Sequence, residues 1–145
     1  MSKRADIAIR LARADEREAL EALQWRASLA NDDDRPHLEA NPDAIDLPAS
    51  QIEAGQVWVA EIGGTVGGFA AVIDGELDGL FVEPPFWRSG VGSALVEKAT
   101  NEARNKGLAL GVIASPNALG FYQRCGFSIE GEAQTRFGPA IRMSK

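Results

Sequence analysis

Between residues 57 and 82 the chain carries three strand-like segments separated by two tight turns, and this pattern limits the possible folds more than any other feature. Val57-Trp58-Val59-Ala60-Glu61-Ile62 is rich in β-branched and aromatic residues. Gly63-Gly64 turns the chain, Val66 to Ile73 continues it with paired glycines at 67 and 68, and Asp74-Gly75 turns it again. Leu77, Leu80, Phe81 and Val82 occupy the third segment, and Pro84-Pro85 stops it because proline has no N–H to give to a ladder. Two-residue turns join antiparallel neighbours, so the centre of the chain is expected to be an antiparallel meander.

The flanks alternate between helix and strand. Ile7-Ala8-Ile9-Arg10-Leu11 reads as a strand, and from Asp15 a helical pattern places Leu20, Leu23 and Ala27 on one face. Asn31 to Ser50 contains Asp32-Asp33-Asp34, Pro36, Pro42 and Pro48, which allow only short helices and mark an irregular flap. After Gly90, Val91, Leu95, Ala99 and Ala103 recur every four residues and Gly107 follows as a C-cap, predicting a helix over about 91–106. Leu108 to Ala114 reads as a buried strand and Ala118 to Cys125 as a short helix closed by Gly126. Phe127-Ser128-Ile129 returns to β, with a final strand from Phe137 to Met143. Trp25 and Trp58 fall on core faces. The fold class is therefore α/β (α+β): residues 1–145 as one domain with a mixed, mostly antiparallel sheet flanked by helices.

Composition removes several functions. With 45% hydrophobic and 25% charged residues the chain can bury a core, and no apolar run approaches the ~20 residues that a membrane span needs, which predicts a cytoplasmic location. One cysteine, Cys125, and one histidine, His37, write neither a disulfide nor a clustered metal site, so no metal is expected. A net charge of −6 argues against nucleic acid, whose phosphates call for Lys and Arg, and leaves a small molecule as the expected ligand. His37 is expected at the surface, Cys125 as a small apolar filler, and the triple aspartate as a solvated loop or a cation-attracting lip to the site.

The most informative segment is Phe86-Trp87-Arg88-Ser89-Gly90-Val91-Gly92-Ser93-Ala94-Leu95, a glycine-bearing turn between a strand and a long amphipathic helix. Glycine lets backbone approach a ligand closely, and the first-turn N–H groups of a helix carry partial positive charge, so the turn is a candidate cradle for an anion. Arg88 and Ser89 add side-chain donors. The competing explanation is a plain tight turn. A Walker lysine and the third glycine of a dinucleotide fingerprint are both missing, which leaves a phosphate ligand outside those two classes.

Together with this turn, Glu76-Leu77-Asp78-Gly79-Leu80-Phe81-Val82-Glu83-Pro84 and Ala118-Leu119-Gly120-Phe121-Tyr122-Gln123-Arg124-Cys125-Gly126-Phe127 resemble the GNAT superfamily of N-acetyltransferases across nearly the whole chain. The resemblance implies acetyl-CoA as co-substrate, its pyrophosphate on Arg88, Ser89, Gly90, Val91, Gly92 and Ser93. It also implies main-chain contacts from Phe81 and Val82, where the strand splays from its neighbour and polarises the acetyl carbonyl. Trp87 stands where the family usually has Gln or Arg. Ser115 stands where many members have a CoA-contacting Asn, with Asn117 two residues on, and either supplies that hydrogen bond.

The resemblance further implies direct transfer of an acetyl group to an amine, on a small molecule or on a protein or peptide, and it allows a homodimer. Tyr122, the sole tyrosine, matches the usual general acid, against the alternative that its ring simply packs on the sheet. Glu76 has the spacing of a catalytic glutamate, with Asp78 or a water as the other candidates for the base. No activated Cys or Ser is placed for a covalent acetyl-enzyme. A catalytically silent CoA-sensing or protein-interaction module on the same fold is the alternative reading, as is, more remotely, a nucleotide-binding regulator.

Overall fold

A computed structural model describes residues 6–31, 35–136 and 138–145. The Asp32-Asp33-Asp34 run and Phe137 lie outside the described residues. The elements run β1 (Ile7–Leu11), α1 (Arg17–Leu29), α2 (Arg35–Ala40), α3 (Ala49–Glu53), β2 (Val57–Ile62), β3 (Thr65–Ile73), β4 (Glu76–Val82), α4 (Val91–Asn105), β5 (Gly111–Ala114), α5 (Leu119–Arg124), β6 (Ser128–Thr135) and β7 (Gly138–Ser144). They form one seven-stranded sheet in the order β1-β2-β3-β4-β5-β7-β6, antiparallel everywhere except between β4 and β5.

Each face of the sheet carries a core. Alternation along β2 sends Val57 and Val59 to one face, where they pack with Leu20 and Leu23 of α1, Ile52 of α3, Leu47 and Phe69; Ala60 turns to the other face. There the four-residue repeat of α4 buries Val91, Leu95, Ala99 and Ala103, with Val96, against Val72, Leu77, Val112, Met143 and Phe127. Burying a Leu or Val contributes about 1.5–3 kcal/mol. These contacts therefore fix how the start of α4 sits against the end of β4. The expected flap is pinned: Leu38 and Leu47 are buried, the Leu47 amide donates to Glu21 Oε2 (2.9 Å) and its carbonyl accepts from Arg17 Nε (2.7 Å). Trp25 and Trp58 are only half-buried, Trp58 with the Lys98 ammonium 4.3 Å above its ring.

Two features prepare the site. Ala71 pairs with Gly79 but Val72 with Leu77, so β4 holds one extra residue, Asp78, as a bulge. Between the parallel strands β4 and β5 only Glu76 and Gly111 are in register, and beyond that pair the strands part. Part of the C-terminal half departs from expectation. Of the apolar run 108–114 only Gly111–Ala114 is strand, with Leu108 exposed. The strand opening near residue 128 continues to Thr135, because β6 is an edge strand whose side chains are nearly all exposed and so carry no hydrophobic alternation.

Candidate active site

Where β4 and β5 diverge, a cleft of about 760 Å³ opens. Leu80, Phe81 and Val82 line it from β4, Ser115, Asn117, Ala118, Phe121 and Arg124 from the end of β5 and from α5, and Trp87, Arg88, Gly90, Gly92 and Ser93 from the turn into α4. Ala27, Ser28 and Asn31, at the end of α1, close its far side. A bidentate ion pair, Arg26 Nη2 to Glu83 Oε2 (2.7 Å) and Nε to Oε1 (3.0 Å), ties α1 to the residue after β4.

The turn has the backbone of an anion cradle. Pro84–Phe86 makes one 3₁₀ turn, Arg88 is left-handed at φ 64°, and Gly90, the N-cap of α4, has φ 94°, a conformation that costs an L side chain about 1–2 kcal/mol. The Ser89 amide donates to Phe86 O (3.3 Å), and the ladder of α4 opens with Gly90 O accepting from the Ala94 amide (3.0 Å). Among the described residues the amides of Arg88, Gly90, Val91, Gly92 and Ser93 have no backbone acceptor. The last four stand at the positive end of a fifteen-residue helix. Gly92 also serves packing, since a Cβ there would lie 3.2 Å from the Phe121 ring.

Along β4, peptide groups point alternately to either side. The Glu83 amide donates to Gly67 O on the β3 side, and Phe81 O faces Gly68 there, so the peptide groups of Leu80 and Val82 point to the side that β5 has left. The indole Nε1–H of Trp87 occupies one of them, donating to Val82 O (2.7 Å). Leu80 and the Val82 amide face the cleft from this edge. Ser89 donates its hydroxyl to Phe86 O, and Ser115 Oγ donates to Asn117 Oδ1 at 2.5 Å, so both serines brace their turns and Asn117 keeps its amide nitrogen for other partners.

Residues 53–129 match the family model described as "Acetyltransferase (GNAT) domain", more than half of the chain. Peptidyl-lysine N-acetyltransferase YjaB of Escherichia coli (strain K12) is 33% identical over 131 residues, covering 88% of this chain and 86% of its own. This chain belongs to the GNAT acetyltransferase family. The solution structure of apo-form YjaB has a TM-score of 0.71 at 27% identity, covering 95% of this chain and 96% of its own. A PaiA N-acetyltransferase from Thermoplasma acidophilum, solved with coenzyme A, shares the fold with a TM-score of 0.72 at 19% identity, covering 96% and 98%.

In this GNAT domain the residues singled out from sequence divide into three groups. Phe81, Val82, Arg88, Ser89, Gly90, Val91, Gly92, Ser93, Ser115 and Asn117 are gathered at the cleft or in the turns that frame it, with Val91 fully buried beneath the turn. Tyr122 stands behind Phe121, its ring edge-on to Phe121 (5.2 Å) and to Phe127 (5.3 Å), and is 8% exposed. Burial, with a smaller contribution from Cys125, pushes its phenol up to about 12. Among the described residues none hydrogen-bonds the Tyr122 hydroxyl, and Phe121, not Tyr122, lines the cleft.

Glu76 is not brought to the cleft. It lies at the opposite end of β4 from Val82, over Gly111, with Oε1 2.9 Å from Arg142 Nη2. Asp78, the bulged residue, is exposed and does not line the cleft either. Leu80, Phe86, Phe121 and Arg124 are cleft residues that the sequence reading did not select. The available signal was spacing: Asn117, Phe121 and Arg124 fall at i, i+4 and i+7 on one helical face. Among the described residues no three His, Cys, Asp or Glu side chains gather as metal ligands, and no helix is long and apolar enough to cross a membrane.

Proposed function

We propose that this acetyltransferase moves the acetyl group of acetyl-CoA directly to an amine. The observation that carries the reading is the set of unpaired amides at residues 88 and 90–93, opening onto the cleft left by the parting of β4 and β5. Acetyl-CoA supplies an activated thioester. Diphosphate oxygens accept from the amides at the start of α4, Arg88 adds a guanidinium, and the Leu80 and Val82 peptide groups and Asn117 hold the chain that leads to the thioester.

The amine nitrogen attacks the carbonyl carbon, so a C–N bond forms and the C–S bond breaks. Tyr122 donates a hydrogen bond to the departing sulfur. With its phenol near 12 the donor is fully protonated at neutral pH, while a thiolate of ordinary pKa about 8.5 is the weaker base. The hydroxyl therefore stabilises charge as it builds on sulfur, and solvent completes the protonation. The surplus proton on the amine leaves through water, since Glu76 is held by Arg142 outside the cleft.

Thiol release from acetyl-CoA over a panel of polyamines, amino acids and lysine-containing peptides tests the reading; the last are included because YjaB is named a peptidyl-lysine N-acetyltransferase. Turnover with at least one amine, lowered about 10²–10³-fold in kcat by Tyr122→Phe, is expected from loss of a hydrogen-bond donor aimed at the charge developing on sulfur. Binding of CoA with no turnover on any amine would instead leave a silent CoA-binding module.

A further inference from the structure

The geometry points to Arg124 as the residue that recognises the ribose 3′-phosphate of CoA, an inference that rests on the acetyl-CoA reading above. Arg10, Arg13, Arg17, Arg26, Arg136 and Arg142 each pair with a carboxylate. The chain has 21 acidic residues for 15 Lys and Arg, so partners are plentiful. Arg35 and Arg104, away from the cleft, have no such partner among the described residues; nor do Arg88 and Arg124, and these two are the cations that line the cleft. Two unneutralised guanidinium groups on one cleft describe a ligand with more than one anionic centre.

The two stand on different walls. Arg88 belongs to the turn whose free amides form the proposed diphosphate cradle, whereas Arg124 ends α5, which faces the cleft with Phe121 and, from the 3₁₀ turn before it, Asn117. Its side chain folds back over Gly120, where a Cβ would lie 3.3 Å from Nη1; the missing side chain at 120 leaves room for the guanidinium beside the cleft. A cation here repels an amine acceptor, which leaves the α1 side of the cleft, Ala27, Ser28 and Asn31, for that partner. With the diphosphate taken by the turn, the phosphate left for Arg124 is the doubly charged ester on the ribose.

Calorimetric titration of CoA and of 3′-dephospho-CoA into wild type, Arg124→Gln and Arg124→Lys tests this. Wild type is expected to bind CoA about tenfold or more tightly than dephospho-CoA, the range for a charged hydrogen bond. Arg124→Gln is expected to abolish that preference while leaving the dephospho-CoA Kd unchanged, and Arg124→Lys to restore part of it. Equal weakening of both ligands would move Arg124 to the diphosphate and overturn the inference. Equal binding of both ligands by wild type would also overturn it, with the acetyl-CoA reading intact. Failure of wild type to bind either ligand would sink that reading and this inference together. Arg124 is exposed, so unchanged thermal unfolding of the variants is expected.

Discussion

Replacing Tyr122 by Phe removes a single oxygen from a ring that is held edge-on between Phe121 and Phe127, and its effect on stability can be worked out from the site. The ring contacts survive, so at pH 8 the variant is expected to unfold within about 0.5 kcal/mol of wild type, as for a substitution that breaks no hydrogen bond. At high pH the two diverge. The unfolded phenol ionises near 10 and the folded one near 12, so between these values the folded protein binds more protons than the unfolded chain. Stability is then lost as pH rises: the unfolded wild type gains the free energy of ionisation and the folded state does not. One pH unit past 10 this amounts to about 1.4 kcal/mol, growing towards about 3 kcal/mol beyond pH 12. Tyr122→Phe has no phenol to ionise and escapes this loss. Urea unfolding of both proteins at pH 8 and pH 11 gives the double difference, in which the lysine titrations common to both cancel. Parallel loss of stability in the two proteins would refute the desolvated phenol, and with it the account of Tyr122 as a protonated donor to the leaving sulfur.

Other predictions follow from the cleft and the core. Gly92→Val drives a branched side chain into the Phe121 ring and over the amides, and should weaken CoA binding at least tenfold by calorimetry, while helical content by circular dichroism stays within error of wild type. Glu76→Gln should leave kcat within about twofold and the pH–rate profile unmoved, since its carboxylate lies outside the cleft; a kcat loss of 10² or more would make it the base. Leu95→Ala, at a fully buried position under α4, should lower the urea-derived unfolding free energy by about 2–5 kcal/mol. Hydrogen bonds from Arg10, and secondly the Arg13 amide, hold the Glu16 carboxyl down at about 2, so the stability it provides is present above the ordinary carboxylate range and lost as pH falls towards 2. Glu16→Gln should flatten that acid limb in thermal melts from pH 5 to pH 2.

Much of the fold was legible because local rules and global packing agree. The Gly63-Gly64 and Asp74-Gly75 turns, the four-residue repeat of α4 and the caps at Gly90 and Gly107 each write their own geometry. The length of β6 was not legible, since an exposed edge strand needs no apolar alternation, nor was the anchoring of residues 35–53, which depends on long-range bonds such as Arg17 to Leu47. At the site, the left-handed turn into α4 could be read from its glycines. The engagement of Trp87 with Val82 O could not, because it depends on how the turn after β4 folds back in space, and the packing of the Tyr122 ring was one of two readings the sequence left open. Glu76 shows the limit of spacing arguments: its separation from Val82 along the strand is a motif feature, but a β-strand advances about 3.3 Å per residue and carries it away from the cleft.

The most direct trial of the account is a ¹⁵N amide spectrum of the protein titrated with CoA. The amides of Arg88, Gly90, Val91, Gly92 and Ser93 should show the largest shifts, moving downfield as phosphate oxygens accept their protons, and pantetheine, which has no phosphate, should leave them close to their free positions. If CoA binds while these five resonances stay in place, the turn before α4 does not hold the diphosphate and the proposed mode of acetyl-CoA binding is wrong.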